Sequence, residues 1–333
     1  MNTLILPEFS IGLAAGAALP SPRSSRPAST SARVKRPRLF LAAALMAVLA
    51  GLANAEEVTT PFRGVTLNAD FDVPEEGASP EHVILITHGG LAHRDQETIA
   101  YFRSLLGERG YSTLAINLSL GRDDRHGLYD CSVTHQHRNE DAVDEIDTWV
   151  QWLRAHGTKR VTLFGYSRGG AQTALYAAER DSPSLSSVVL LAPGTRATTD
   201  ADVYQRRNGQ SLAPRLAEAE RLLEQNRGKD VLKNVGMLWC KDTSATAESF
   251  ASYHGKNAKV DTPDYIADIP MPTLVIVAED DELVVGLEDA VAPLVDQSRV
   301  HMAVIAGSDH WFRDLNADEA VDAMDSFLQQ IGE

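Results

Sequence analysis

The segment Gly165-Tyr166-Ser167-Arg168-Gly169 sets a hydroxyl between two glycines, directly after the apolar run Val161-Thr162-Leu163-Phe164 and before an alanine-rich stretch. A strand that turns this sharply into a helix passes close to its neighbours, where a Cβ at either glycine would clash. The turn residue then stands above the sheet edge, its Oγ beside helix-terminal amides that favour negative charge. A serine hydroxyl is a weak nucleophile at neutral pH. It needs a base to take its proton and an acid to fix that base's tautomer. Asp281 follows the run Leu274-Val275-Ile276-Val277, and His310 follows Met302-Ala303-Val304-Ile305, so both are expected at the sheet edge that carries Ser167. Acyl transfer also needs donors aimed at the developing oxyanion, each worth about 3–4 kcal/mol. The Arg168 amide, next after the serine, is one. The second is expected from Gly90 in His88-Gly89-Gly90, with His88 a structural partner that shapes the loop.

The elements that must position these groups alternate along the chain. From residue 83 onward, strand-like runs (83–87, 112–120, 160–164, 187–192, 273–278 and 300–306) are separated by helical stretches, the pattern of a mostly parallel sheet with helices on both faces. Ile99, Phe102, Leu105 and Leu106 form one helical stripe, and Val143, Ile146, Val150 and Leu153 another. Asn139 is the expected N-cap of the second helix and Gly157 its stop. Trp149 and Trp152 on that helix read as core and flank. A last helix begins near Asn316, and residues 56–74 are expected to hold one or two antiparallel edge strands.

About 80 residues separate the strand ending at Ala192 from the one starting at Thr273, far beyond the 2–6 residues usual for such a connection. Residues 195–268 are therefore read as a cap over the carboxyl edge of the sheet, where open α/β sheets place their sites. Leu216, Ala219, Leu222 and Leu223 predict one amphipathic helix there, with the remainder polar and irregular. The loop 121–138 carries Asp123, Asp124, His126, Cys131, His135 and His137. A His-x-His pair can bind zinc; the competing reading, which we favour, is a polar, solvated loop at the site rim and no metal. His93, Arg94 and Asp95 either line the pocket or cap the helix beginning near Gln96.

Composition narrows the partners. The chain has 333 residues, 44% apolar and 23% charged, with 31 basic against 46 acidic side chains and a net charge of −15. That balance argues against nucleic acid or an anionic membrane surface. Arg33, Lys35, Arg36 and Arg38 precede the apolar run Leu39 to Leu52, which closes on Ala53-Asn54-Ala55. This reads as a secretory signal peptide cleaved after Ala55, shorter than the roughly 20 residues of a spanning helix. The Ser/Pro/Ala-rich residues 1–32 read as an upstream extension. Removing residues 1–55 takes six basic side chains from the 31 and one acidic from the 46, leaving −20 on residues 56–333 and no stable membrane anchor. Export permits a disulfide. Cys131 and Cys240 either pair, closing a loop worth about 4–5 kcal/mol in the chain-entropy model, or stand as separate buried thiols.

Taken together, His88-Gly89-Gly90, Gly165-Tyr166-Ser167-Arg168-Gly169, Ala278-Glu279-Asp280-Asp281 and Ser308-Asp309-His310 resemble the α/β-hydrolase superfamily, particularly its serine aminopeptidase and monoacylglycerol-lipase-like branch, over about residues 80–333. The resemblance implies the α/β-hydrolase fold with a helical cap insertion, the nucleophile elbow at Ser167 and the chain order Ser, Asp, His. The family's acid commonly lies three positions after a strand-end glycine, here Ala278, which favours Asp281 over Asp280. Tyr166 stands where many relatives carry His, and a serine nucleophile argues against dehalogenase-like relatives. The implied activity is an exported serine hydrolase acting on small acyl substrates, carboxylic esters ahead of thioesters, lactones and peptides, through an acyl-enzyme and without a cofactor. Acyl transfer or peptidase action with the same triad, and a silent binding protein of this fold, are the alternatives; no oligomeric state follows from the sequence.

Overall fold

A computed structural model describes residues 55–74, 80–296 and 298–333. The expected extension and signal peptide span residues 1–55, all but Ala55 of which lie outside the described residues. The first half of the chain gives β1 (Glu56–Phe62), β2 (Val65–Asp72), β3 (His82–Thr87), α1 (Glu97–Glu108), β4 (Ser112–Ile116), α2 (Asp141–Ala155), β5 (Arg160–Tyr166), α3 (Arg168–Glu179) and β6 (Leu185–Leu191). The insertion follows with α4 (Ala201–Asn208), α5 (Leu212–Glu224), β7 (Val231–Met237), β8 (Cys240–Thr246), α6 (Ala247–His254) and α7 (Pro263–Ile266). The chain then returns as β9 (Thr273–Ala278), α8 (Leu287–Val291), β10 (Val300–Ile305) and α9 (Leu315–Ile331).

Eight strands form one sheet in the order β1-β2-β4-β3-β5-β6-β9-β10. The first two strands join it antiparallel, and every pair from β4 to β10 is parallel. The central strands read as unbroken apolar runs because both of their faces are covered. Val83 and Leu85 belong to a core with Ile146 and Trp149 of α2, whereas Ile84 and Ile86 belong to a core with Phe102 of α1 and Met324 of α9. Trp149 is fully buried and Trp152 meets Phe71 of β2 edge-on, the core and flank positions expected of them. Because the strands run parallel, residues following β3, β5, β9 and β10 emerge along a single edge.

The insertion is more ordered than the sequence predicts. The amphipathic helix is present as α5, burying Ala219 and Leu222, but β7 and β8 add an antiparallel hairpin where an irregular segment was expected. Two register shifts, between Lys233 and Val235 and between Val235 and Met237, break the apolar/polar alternation that would have marked those strands. Asn139 is also reassigned. Glu140 occupies the cap position of α2, and Asn139 is instead fully buried, donating its Nδ2 to the Lys259 carbonyl.

Candidate active site

Ser167 sits between β5 and α3 with φ 55° and ψ −125°, a left-handed conformation costly for a residue with a side chain. The turn is over-determined: the Ser167 amide donates to the Leu191 carbonyl at 2.9 Å, and its own carbonyl accepts from Gly170 and Gly194. Glycine is required on both sides. A Cβ on Gly169 would lie 2.3 Å from the His88 carbonyl oxygen, and one on Gly165 would lie 2.7 Å from that of Gly169. The sharp turn therefore depends on backbone passing where a methyl group cannot fit.

His310 follows β10 and Asp281 follows β9, and the structure brings both to Ser167. His310 Nε2 is 2.9 Å from Ser167 Oγ, and His310 Nδ1 is 2.7 Å from Asp281 Oδ2. The other Asp281 oxygen accepts from the amides of Leu283 and Val284 at 2.7 and 2.8 Å. Burial acts to raise the Asp281 carboxyl, but the hydrogen bond and charge of His310 and the two amides outweigh it and hold the group below the usual carboxylate value. An ionised Asp281 can only accept, so Nδ1 carries the imidazole proton and Nε2 is free to accept from the serine hydroxyl. Asp280 is exposed and uses its amide to bond the Ser308 carbonyl. Tyr166, next to the serine, donates its hydroxyl to the His310 carbonyl at 2.9 Å and lays its ring against the imidazole, so the elbow also fixes that imidazole.

Gly90 and Arg168 both line the cavity with Ser167, and neither amide donates to a protein acceptor among the described residues. Gly90 has φ +47°, and a Cβ there would lie 2.0 Å from the Trp239 ring. His88 is fully buried and shapes this loop: Nδ1 donates to the Gly89 carbonyl, while Nε2 accepts from the Leu118 amide and from Arg125. Burial, reinforced by the Arg125 charge, holds His88 well below its ordinary value, so the ring is neutral. His93, Arg94 and Asp95 neither line the cavity nor supply a side-chain cap to α1. Arg94 is buried and pairs with Asp70 at 2.7 Å and with Glu57, clamping β1 and β2.

The cavity above Ser167 holds about 360 Å³. Trp311, next to His310, and Leu283 line it from the sheet side, and Trp239 and Arg207 line it from the insertion. The sequence reading missed both insertion residues. The one available signal for Trp239 was its place beside Cys240 at the end of the short apolar run Val235-Gly236-Met237-Leu238; Arg207 had none.

Cys131 and Cys240 form a disulfide with Cα atoms 5.3 Å apart, tying loop 121–138 to the β7–β8 hairpin. The expectation of a solvated loop holds at His126, which is exposed, but not at His135 and His137, which are buried at 0% and 2% exposure. His135 Nδ1 lies 3.1 Å from His137 Nε2, and His137 Nδ1 lies 2.8 Å from the Tyr253 hydroxyl. Burial pushes His135 down to about 4. Among the described residues no group of three or more His, Cys, Asp or Glu side chains is placed to hold a metal ion.

Residues 83–323 match the family described as the alpha/beta hydrolase family. Among solved structures, Est1E from Butyrivibrio proteoclasticus is 18% identical, with 83% of this chain and 99% of that one covered at a TM-score of 0.59. An esterase of Pyrococcus furiosus is 15% identical over 84% of this chain and 91% of its own, at 0.57. A putative dienelactone hydrolase from Klebsiella pneumoniae is 17% identical over 83% and 98%, at 0.53. At these identities the likeness is one of fold. No curated protein matches the sequence.

Proposed function

The chain belongs to the alpha/beta hydrolase family, and from that premise we propose that it is an exported serine hydrolase that cleaves small carboxylic esters through an acyl-enzyme. The observation that carries the proposal is the unbroken relay from Ser167 Oγ through His310 to Asp281, at 2.9 and 2.7 Å. His310 takes the serine proton as Oγ attacks the acyl carbonyl, and Asp281 supports the imidazolium that forms. The Arg168 and Gly90 amides receive the oxyanion. His310 then returns the proton to the departing alcohol, and water activated by the same imidazole releases the acid. Each step uses groups of this chain, so no cofactor is needed. Export is supported by the signal-like segment 33–55 and by the Cys131–Cys240 bond, which suits an oxidising compartment. Among the described residues no helix is long and apolar enough to cross a membrane.

The test is a fluorophosphonate probe, applied with a series of p-nitrophenyl esters of graded chain length. Wild-type protein is expected to take up the label and release nitrophenol, and Ser167→Ala to do neither. A wild type that stays unlabelled and turns over no ester would favour the silent binding protein.

A further inference from the structure

Two arginines, Arg168 and Arg207, line the cavity above Ser167, and no aspartate or glutamate does so. In a chain with 46 acidic residues against 31 basic, that wall is a local reversal of sign. Arg168, from the first turn of α3, is 9% exposed and has neutral partners only: its Nη1 donates to Asn139 Oδ1 at 3.3 Å, and its guanidinium lies 5.2 Å over the Tyr253 ring. Arg207, near the end of α4 in the insertion, donates Nη1 to the Thr198 carbonyl at 3.4 Å. Neither arginine forms an ion pair with a carboxylate among the described residues, whereas buried Arg94 and half-buried Arg103 are each paired with Asp70, and buried Arg125, which also lacks an ion pair, spends its guanidinium on the Leu118 and Gly127 carbonyls and His88. Burial lowers Arg168 to about 10 and the charge of Arg207 acts in the same direction, so it remains a cation at neutral pH.

A guanidinium held away from water without a counter-ion is an unfavourable arrangement unless something anionic completes it. The nearest open volume is the cavity itself, at the small end of the range for small-molecule sites. Its remaining wall, with Trp239, Trp311 and Leu283, suits a short apolar linker. Building on the reading of Ser167 as nucleophile, we propose that the preferred ester carries a free carboxylate, bound by Arg207 and Arg168 while its acyl carbonyl lies at Ser167. One cation comes from α3 and the other from the insertion, so the bound carboxylate also joins the two.

The p-nitrophenyl half-ester of adipic acid and p-nitrophenyl hexanoate share a leaving group and chain length and differ in the terminal carboxylate. Wild-type kcat/KM is expected to favour the half-ester by about tenfold or more, mainly through KM, and Arg207→Gln to remove most of that ratio while Arg207→Lys restores part of it. A wild-type preference for hexanoate, or a ratio unchanged in Arg207→Gln, overturns the proposal. Calorimetry with adipate and Ser167→Ala protein reads the same site without turnover. Binding that weakens about tenfold when Arg207→Gln is added supports the subsite, and no binding overturns it. Adipate binding by a wild-type protein that neither hydrolyses ester nor takes up the fluorophosphonate would sink the hydrolase reading alone.

Discussion

The three relay residues and the insertion above them are held by different means. Ser167, Asp281 and His310 follow β5, β9 and β10, strands locked into a parallel ladder whose β9–β10 register runs unbroken from Thr273 opposite Val300 to Ala278 opposite Ile305. Trp239 and Arg207 stand on a bulged hairpin and an eight-residue helix outside that ladder. Their region is tied down by discrete links instead: the Cys131–Cys240 bond, the His135 backbone paired with Ser244 and Thr246, and the Asn139 side chain on the Lys259 carbonyl. The three hydrogen-bonded groups, whose geometry a relay needs fixed to within half an ångström, are built on the ladder, and the cavity wall facing them is built on pieces that can be exchanged.

The largest effect is expected where the ladder-borne relay is broken. Asp281→Asn keeps the shape but removes the acceptor that fixes the His310 tautomer, so kcat should fall by about 10⁴-fold with little change in melting temperature. Asp280→Asn, on an exposed neighbour, should leave kcat within about twofold. Steady-state kinetics on one p-nitrophenyl ester decides; the reverse ranking would move the acid to Asp280. Breaking a link of the insertion should read differently. The disulfide spans 109 residues, so reduction or Cys131→Ser should cost about 4–5 kcal/mol in the chain-entropy limit. Trp239 adjoins Cys240 and covers Gly90, so KM should rise more than kcat falls. An unchanged KM in protein shown to be reduced would mean that the hairpin holds Trp239 without the bond.

The same division governs what could be read from the sequence. The relay was legible because each member follows a run of apolar residues that must form a strand buried on both faces, and parallel strands leave their next residues at one edge. The Cys131–Cys240 pairing stayed open because sequence carries no distance between remote cysteines. The hairpin was illegible because its bulges erase the period-2 pattern. Asn139 looked like a cap because it precedes acidic residues and an apolar stripe, yet the Lys259 carbonyl and the Arg168 guanidinium, both distant in sequence, claim its side chain. His135 and His137 looked solvated because their loop is polar. Their burial comes from a hairpin and a helix more than a hundred residues away.

Titration offers a finer contrast between the two regions. Burial pushes His135, in the loop bonded to the hairpin, and His254, on α6, each down to about 4, the latter helped by the Arg168 charge. A histidine whose folded value lies below its unfolded one, about 6.5, gives stability that is complete above 6.5 and is lost as pH falls toward 4. Glu145 of α2, buried against Ser119, is raised by burial to about 7 despite the Ser119 hydrogen bonds. Its contribution has the opposite sign: complete below about 4.5 and lost as pH rises through 7. Each of the three is worth at most about 3 kcal/mol on this accounting, and the two histidines outweigh the single glutamate, so melting temperature should rise between pH 5 and pH 7. Glu145→Gln removes the opposing slope, and the rise should become steeper by the glutamate's share. Calorimetry of both proteins at the two pH values checks this; equal rises would mean that Glu145 is already ionised at pH 5 in the folded chain.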